Sequence, residues 1–105
     1  MAFEIKHQYI TGPVEVKLAK YGDETTAVSL FDDEGLYGTV SVCLVGHGVT
    51  LVAPRRFWAK AYSEGEGMPE ALEAAGIAVA IWDQYVGPFN SRVVLMQLNE
   101  SIPLP

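Results

Sequence analysis

His47 stands between Gly46 and Gly48, and an imidazole on so pliant a loop could serve as acid, base or metal ligand. Asp83 and Tyr85, two positions apart, could share the end of a sheet with it and make a small catalytic or ligand-binding group. The alternative for His47 is a turn residue between a strand and a short extension. The other histidine, His7, lies forty positions earlier, with neither paired cysteines nor a close carboxylate to complete a metal site. Asp32, Asp33 and Glu34 look like a cation cluster, but a calcium loop spreads its oxygen ligands along about twelve residues with a central glycine. Acidic residues also suit tight turns because Asp supports turn geometry. Ser29, Ser41 and Cys43 lack a nucleophile-elbow pattern, and no phosphate-cradling glycine loop followed by Lys and Ser or Thr occurs. The residues therefore predict no catalytic centre, no cofactor and no metal.

Arg55, Arg56, Phe57 and Trp58 carry a different chemistry, because Arg and Trp are the usual anchors of protein interfaces. The alternative is that Phe57 and Trp58 pin a helical turn to the core while the arginines stay solvated. The acidic pairs at Asp23-Glu24 and Asp32-Asp33-Glu34 would suit a basic partner.

Composition narrows the field. The chain has 105 residues, half of them hydrophobic and 19% charged, enough for one modest core and too apolar for disorder. Its net charge is -6 with seven basic residues scattered, so a nucleic-acid surface is not expected. A single cysteine forbids an intrachain disulfide and favours a reducing, cytoplasmic setting. No apolar run approaches the roughly 18 residues that a membrane helix needs, and the first residues lack a signal-peptide pattern.

The elements that must position these residues follow from hydrophobic period. Residues 3–10 alternate and predict a strand that leaves one edge uncovered. Residues 14–21, 25–32 and 37–44 predict three antiparallel strands joined by acidic turns at 22–24 and 33–35. Residues 49–53 predict a short β run, ended by Pro54. Residues 55–62 predict one or two helical turns, and 63–67 a flexible acidic loop. Residues 69–75 predict the clearest helix, with Pro69 at its start, Glu70 and Glu73 toward the dipole's positive end and Gly76 as its cap. Residues 77–85 and 92–98 are apolar on both parities and predict central strands covered on both faces. The tail, 101–105, is expected to fray. The expected fold is a single α+β domain, a mostly antiparallel sheet of five or six strands with one short helix on a face. Val16, Leu18, Val28, Leu30, Val40, Val42, Leu72, Ile81, Trp82, Val94 and Met96 are the expected core.

Residues 27–35 (Ala-Val-Ser-Leu-Phe-Asp-Asp-Glu-Gly) and 37–42 (Tyr-Gly-Thr-Val-Ser-Val) form a hairpin pattern. With Trp58, the Ala75-Gly76-Ile77 helix end and a closing strand, it resembles a family of small accessory proteins of plasmids, prophages and conjugative elements of gut bacteria. The likeness spans roughly residues 14–98. It implies no catalytic residue. It implies a mobile-element setting, where small acidic proteins include inhibitors of host defence such as anti-CRISPR proteins. The sequence reading is thus a non-enzymatic protein-binding factor that occludes a partner's surface through Asp23, Glu24, Asp32, Asp33 and Glu34, or through Arg55, Arg56 and Trp58. The two competing expectations are a small enzyme using His47, Asp83 and Tyr85, and a homo-oligomer built through the strand at 3–10.

Overall fold

The computed structural model describes residues 2–21, 26–42 and 55–103. Within them the chain forms two antiparallel sheets of four strands each, and one short helix. The first sheet is a meander in the order β1 (Ala2–Lys6), β2 (Thr11–Lys20), β3 (Thr26–Asp32) and β4 (Gly35–Thr39). The second contains β5 (Ser41–Val42), β6 (Arg56–Lys60), β7 (Ala78–Val86) and β8 (Ser91–Leu98), in the order β5-β6-β8-β7. The expected α+β class with antiparallel pairing holds. The single five- or six-stranded sheet does not, because one predicted strand is split between the two sheets.

That split occurs at Val40. Its N–H donates to the Val28 carbonyl of sheet one at 2.9 Å, and its own carbonyl accepts from the Lys60 N–H of sheet two, also at 2.9 Å. β4 and β5 are thus one run of chain that changes sheets and turns a corner between them. Ser41 braces it: its Oγ accepts from the buried Val28 N–H at 2.8 Å and lies 2.9 Å from the Tyr21 hydroxyl.

Alternation in sheet one sends Ile5, Val14, Val28 and Leu30 inward and Glu4, Glu15 and Lys17 to solvent. Phe57, Val94, Met96 and Leu98 meet them from sheet two, in one shared core. Val16 and Leu18 are half-buried against it, whereas Val42, also expected in the core, is half-buried on the opposite face of sheet two beside Trp58.

The helix, α1 (Met68–Ala74), places Met68 and Leu72 in the same core. Gly76 has φ of 78° and closes the helix. The Ile77 N–H bonds to the Leu72 carbonyl and the Gly76 N–H to the Glu73 carbonyl, while Ile77 and Leu72 are both buried. This is a Schellman closure with its apolar contact, and it fixes where β7 begins.

Three local expectations are overturned. Residues 56–60 are strand β6, not helical turns: Phe57 and Ala59 point inward while Arg56, Trp58 and Lys60 point out. Residues 63–67 do not form a loose loop. They hold a 3-10 turn (Ser63–Gly65) whose Gly65 is buried so tightly that a Cβ there would lie 2.5 Å from the Lys60 carbonyl oxygen. The tail is docked as far as Ile102, which is 2% exposed, under two bonds from Arg55 Nη1 to the carbonyls of Asn99 and Ile102 at 3.0 and 2.9 Å.

A fourth correction concerns β7. β8 is central, as expected, but β7 is an edge strand. Ile81 and Trp82, expected in the core, are 42% and 63% exposed. A bulge between Ala80 and Trp82 shifts the pairing with β8 and inverts the parity of the strand, so apolar residues emerge on both sides. The acidic turn at 22–24, the run at 49–53, Cys43, His47 and Pro54 lie outside the described residues.

Candidate protein-binding face

Register across sheet two sets one row of apolar side chains on its outer face. Val42 pairs with Trp58, Trp58 with Leu95, and Leu95 with Trp82. The row crosses all four strands in spatial order, from half-buried Val42, Trp58 and Leu95 to exposed Trp82. Exposed Val79 extends it along β7. Arg56 flanks the row on one side, with its Nε 3.4 Å from the Gln97 Oε1, while Lys60, at the register position on the other, has its ammonium committed to Glu64 and to the Tyr62 ring. The Trp58 indole N–H is buried without a hydrogen-bond partner, and an unpaired buried donor is costly. A contiguous apolar patch with polar residues at its rim is the pattern of an interaction surface.

The sequence-predicted contact residues do not converge. Trp58 and Arg56 lie on this face. Arg55 does not: its guanidinium is committed to the C-terminal carbonyls. Asp32, Asp33 and Glu34 are exposed at the β3–β4 tip in the other sheet, where the Asp32 Oδ1 accepts from the Glu34 N–H at 2.9 Å and Gly35 takes a φ of 112°. That carboxylate shapes the turn as well as facing solvent. Asp23 and Glu24 lie outside the described residues.

The residues considered for chemistry are likewise dispersed. Asp83 pairs with Arg92 at 3.1 Å, and Arg92 also holds Glu70 of α1 at 3.0 Å. The hydrogen bond to Glu70, and then that to Asp83, keeps the guanidinium above its ordinary value, so it stays charged. Tyr85 is exposed beside this group. His7 is buried, and both of its ring nitrogens serve the backbone. Nε2 lies 2.8 Å from the Glu66 carbonyl, and Nδ1 accepts from the Tyr9 N–H at 3.2 Å, which assigns the ring proton to Nε2. It thereby ties the β1–β2 turn to the start of α1, beside an open groove of about 610 Å³ that Lys6, Glu66 and Glu70 also line. Among the described residues no group of three or more His, Cys, Asp or Glu is placed to hold a metal ion, and no helix is long and apolar enough to cross a membrane.

Sequence reading missed Trp82 and Leu95 as surface residues. The available signal was the second tryptophan itself, set two strands from Trp58 in a chain with only two. Comparison with protein-family models, curated proteins and solved structures finds no match to this chain.

Proposed function

We propose that the protein is a non-enzymatic binding factor that presents the outer face of sheet two to another protein. The observation that carries this reading is the Val42–Trp58–Leu95–Trp82 row, apolar and flanked by Arg56, on a chain that is otherwise acidic. Tryptophan supplies large contact area at low entropic cost, and arginine supplies oriented hydrogen bonds at the rim. The acidic β3–β4 tip belongs to a different surface and would steer a basic partner electrostatically. The resemblance to mobile-element accessory proteins adds the class of partner, a component of a host defence system whose working surface would be occluded. Among the described residues Asp83 is engaged by Arg92 rather than open to a ligand.

The test places a photo-crosslinking side chain at Arg56, at Val79, or at Lys17 on the outer face of sheet one. We expect one identifiable host protein to crosslink from the first two positions and not from Lys17. Capture should fall at least tenfold in Arg56→Glu and Val79→Glu. The same crosslinked proteins from all three positions, or undiminished capture by both variants, would sink the reading.

A further inference from the structure

We infer that β7 pairs with β7 of a second copy, antiparallel about a two-fold axis through Gln84, to give one continuous eight-stranded sheet. The Leu98 N–H bonds to the Arg55 carbonyl, and the Ala61 N–H bonds to the Arg92 carbonyl. Even-numbered residues of β8 therefore face β6, and odd-numbered ones face β7. Their β7 partners Trp82, Gln84 and Val86 spend their backbone groups inside the sheet. Asp83 and Tyr85 direct theirs outward, along the free edge.

The edge is not uniformly open. At its start, the Ala80 N–H is capped by the Glu73 Oε2 at 2.8 Å, next to the bulge. Bulges and covering side chains are how native sheets blunt an edge. Beyond the bulge, residues 82–86 carry neither Lys nor Pro, the other usual guards. Among the described residues β7 is also the longest edge strand, nine residues against five in β1 and in β4 and two in β5.

This stretch is self-complementary. With the axis at Gln84, Asp83 of one copy stands opposite Tyr85 of the other, and the two exchange backbone hydrogen bonds twice over. A carboxylate then faces a phenol and never its own copy, and its charge is already balanced by Arg92. Trp82 comes opposite Val86, apolar on apolar, and the Gln84 amides meet on the axis. Phe89, 88% exposed at the hairpin tip, comes level with Val79 of the second copy. Edge pairing covers the β7 backbone and the flanks of these side chains but leaves their outward faces open, so the buried area stays under about 1,200 Å² in all. That is the low end for a specific interface and fits a reversible dimer. The inference is independent of what the outer face binds, although the dimer would set two such faces side by side.

Sedimentation equilibrium tests it. Between about 10 μM and about 1 mM, the average mass should climb from 11.4 kDa toward twice that value. Tyr85→Pro removes an outward N–H without costing a bond to β8, so it should stay monomeric with little change in melting temperature. Register is tested separately by cysteine pairing in a Cys43→Ala background. A directly opposed, non-hydrogen-bonded pair brings Cα atoms to about 4.5 Å, within disulfide reach. Gln84→Cys should therefore oxidise to a dimer, and Trp82→Cys should not. A wild-type protein that remains monomeric throughout, even if another protein occupies the edge, would overturn the inference. So would undiminished association of a folded Tyr85→Pro variant, or faster crosslinking of Trp82→Cys than of Gln84→Cys.

Discussion

Ser41 is a small residue with a large share in the architecture. Its hydroxyl accepts from the buried Val28 amide, just where the chain leaves one sheet for the other. Ser41→Ala strands that amide without an acceptor, and we expect a loss of about 1–3 kcal/mol in urea unfolding. An unchanged midpoint would mean that the amide finds another acceptor. Glu64 offers a pH readout. Its carboxyl is held below the ordinary value of 4.5, first by the hydrogen bond from Lys60, then by its own backbone and by the charge of Lys60. Its folded value is thus below its unfolded one, so the contribution is present above the unfolded value and is lost as pH falls through the folded value. Glu64→Gln should accordingly lie below wild type at neutral pH, with the gap closing in acid. A gap constant down to about pH 3 would show that the charge plays no part. At this scale the sequence was partly legible. Trp58 and Arg56 stood out by type and do lie on the candidate face. Arg55 could not be told apart from Arg56, since only the docked tail reveals its carbonyl partners.

Element by element, β3 and α1 were legible because period, turn residues and caps all agree there, whereas the strand expected over 3–10 stops at Lys6, since residues 7–10 form the turn and β2 already begins at Thr11. β6 was not legible. Five residues are too few to separate the two periods, and alternating charge with aromatics suits either. β7 misled for a physical reason: residues apolar on both parities arise equally from burial on both faces and from a bulge that inverts the strand halfway. The tail misled because Pro103 and Pro105 cannot join a ladder, yet docking a side chain needs no ladder. Ile102 is as buried as the central strands. Ile102→Ala should cost about 2–4 kcal/mol, and Arg55→Met should make residues 99–102 exchange their amide hydrogens faster. A tail that exchanges at the same rate in both variants and wild type would contradict the staple.

At the level of the whole molecule, one sheet became two because the run from 35 to 42 serves both. Nothing in Val40's type announces this. An ordinary β-branched residue sits where the ladder changes partner, and only the competing registers of β3 and β6 show that it must. The shared core then closes between the sheets with α1 across it.

The strand that changes sheets also makes the chain divisible. Cut at the exposed tip between Asp33 and Glu34, the molecule yields one piece holding β1 to β3 and another holding the corner, the helix and all of sheet two. Neither piece can close the core, and each carries half of the β3–β4 ladder as an address for the other. Fused to two proteins under study, the halves would serve as a complementation pair whose signal requires the corner to be rebuilt, and the Ser41→Ala weakness would become the dial that sets how readily it reports.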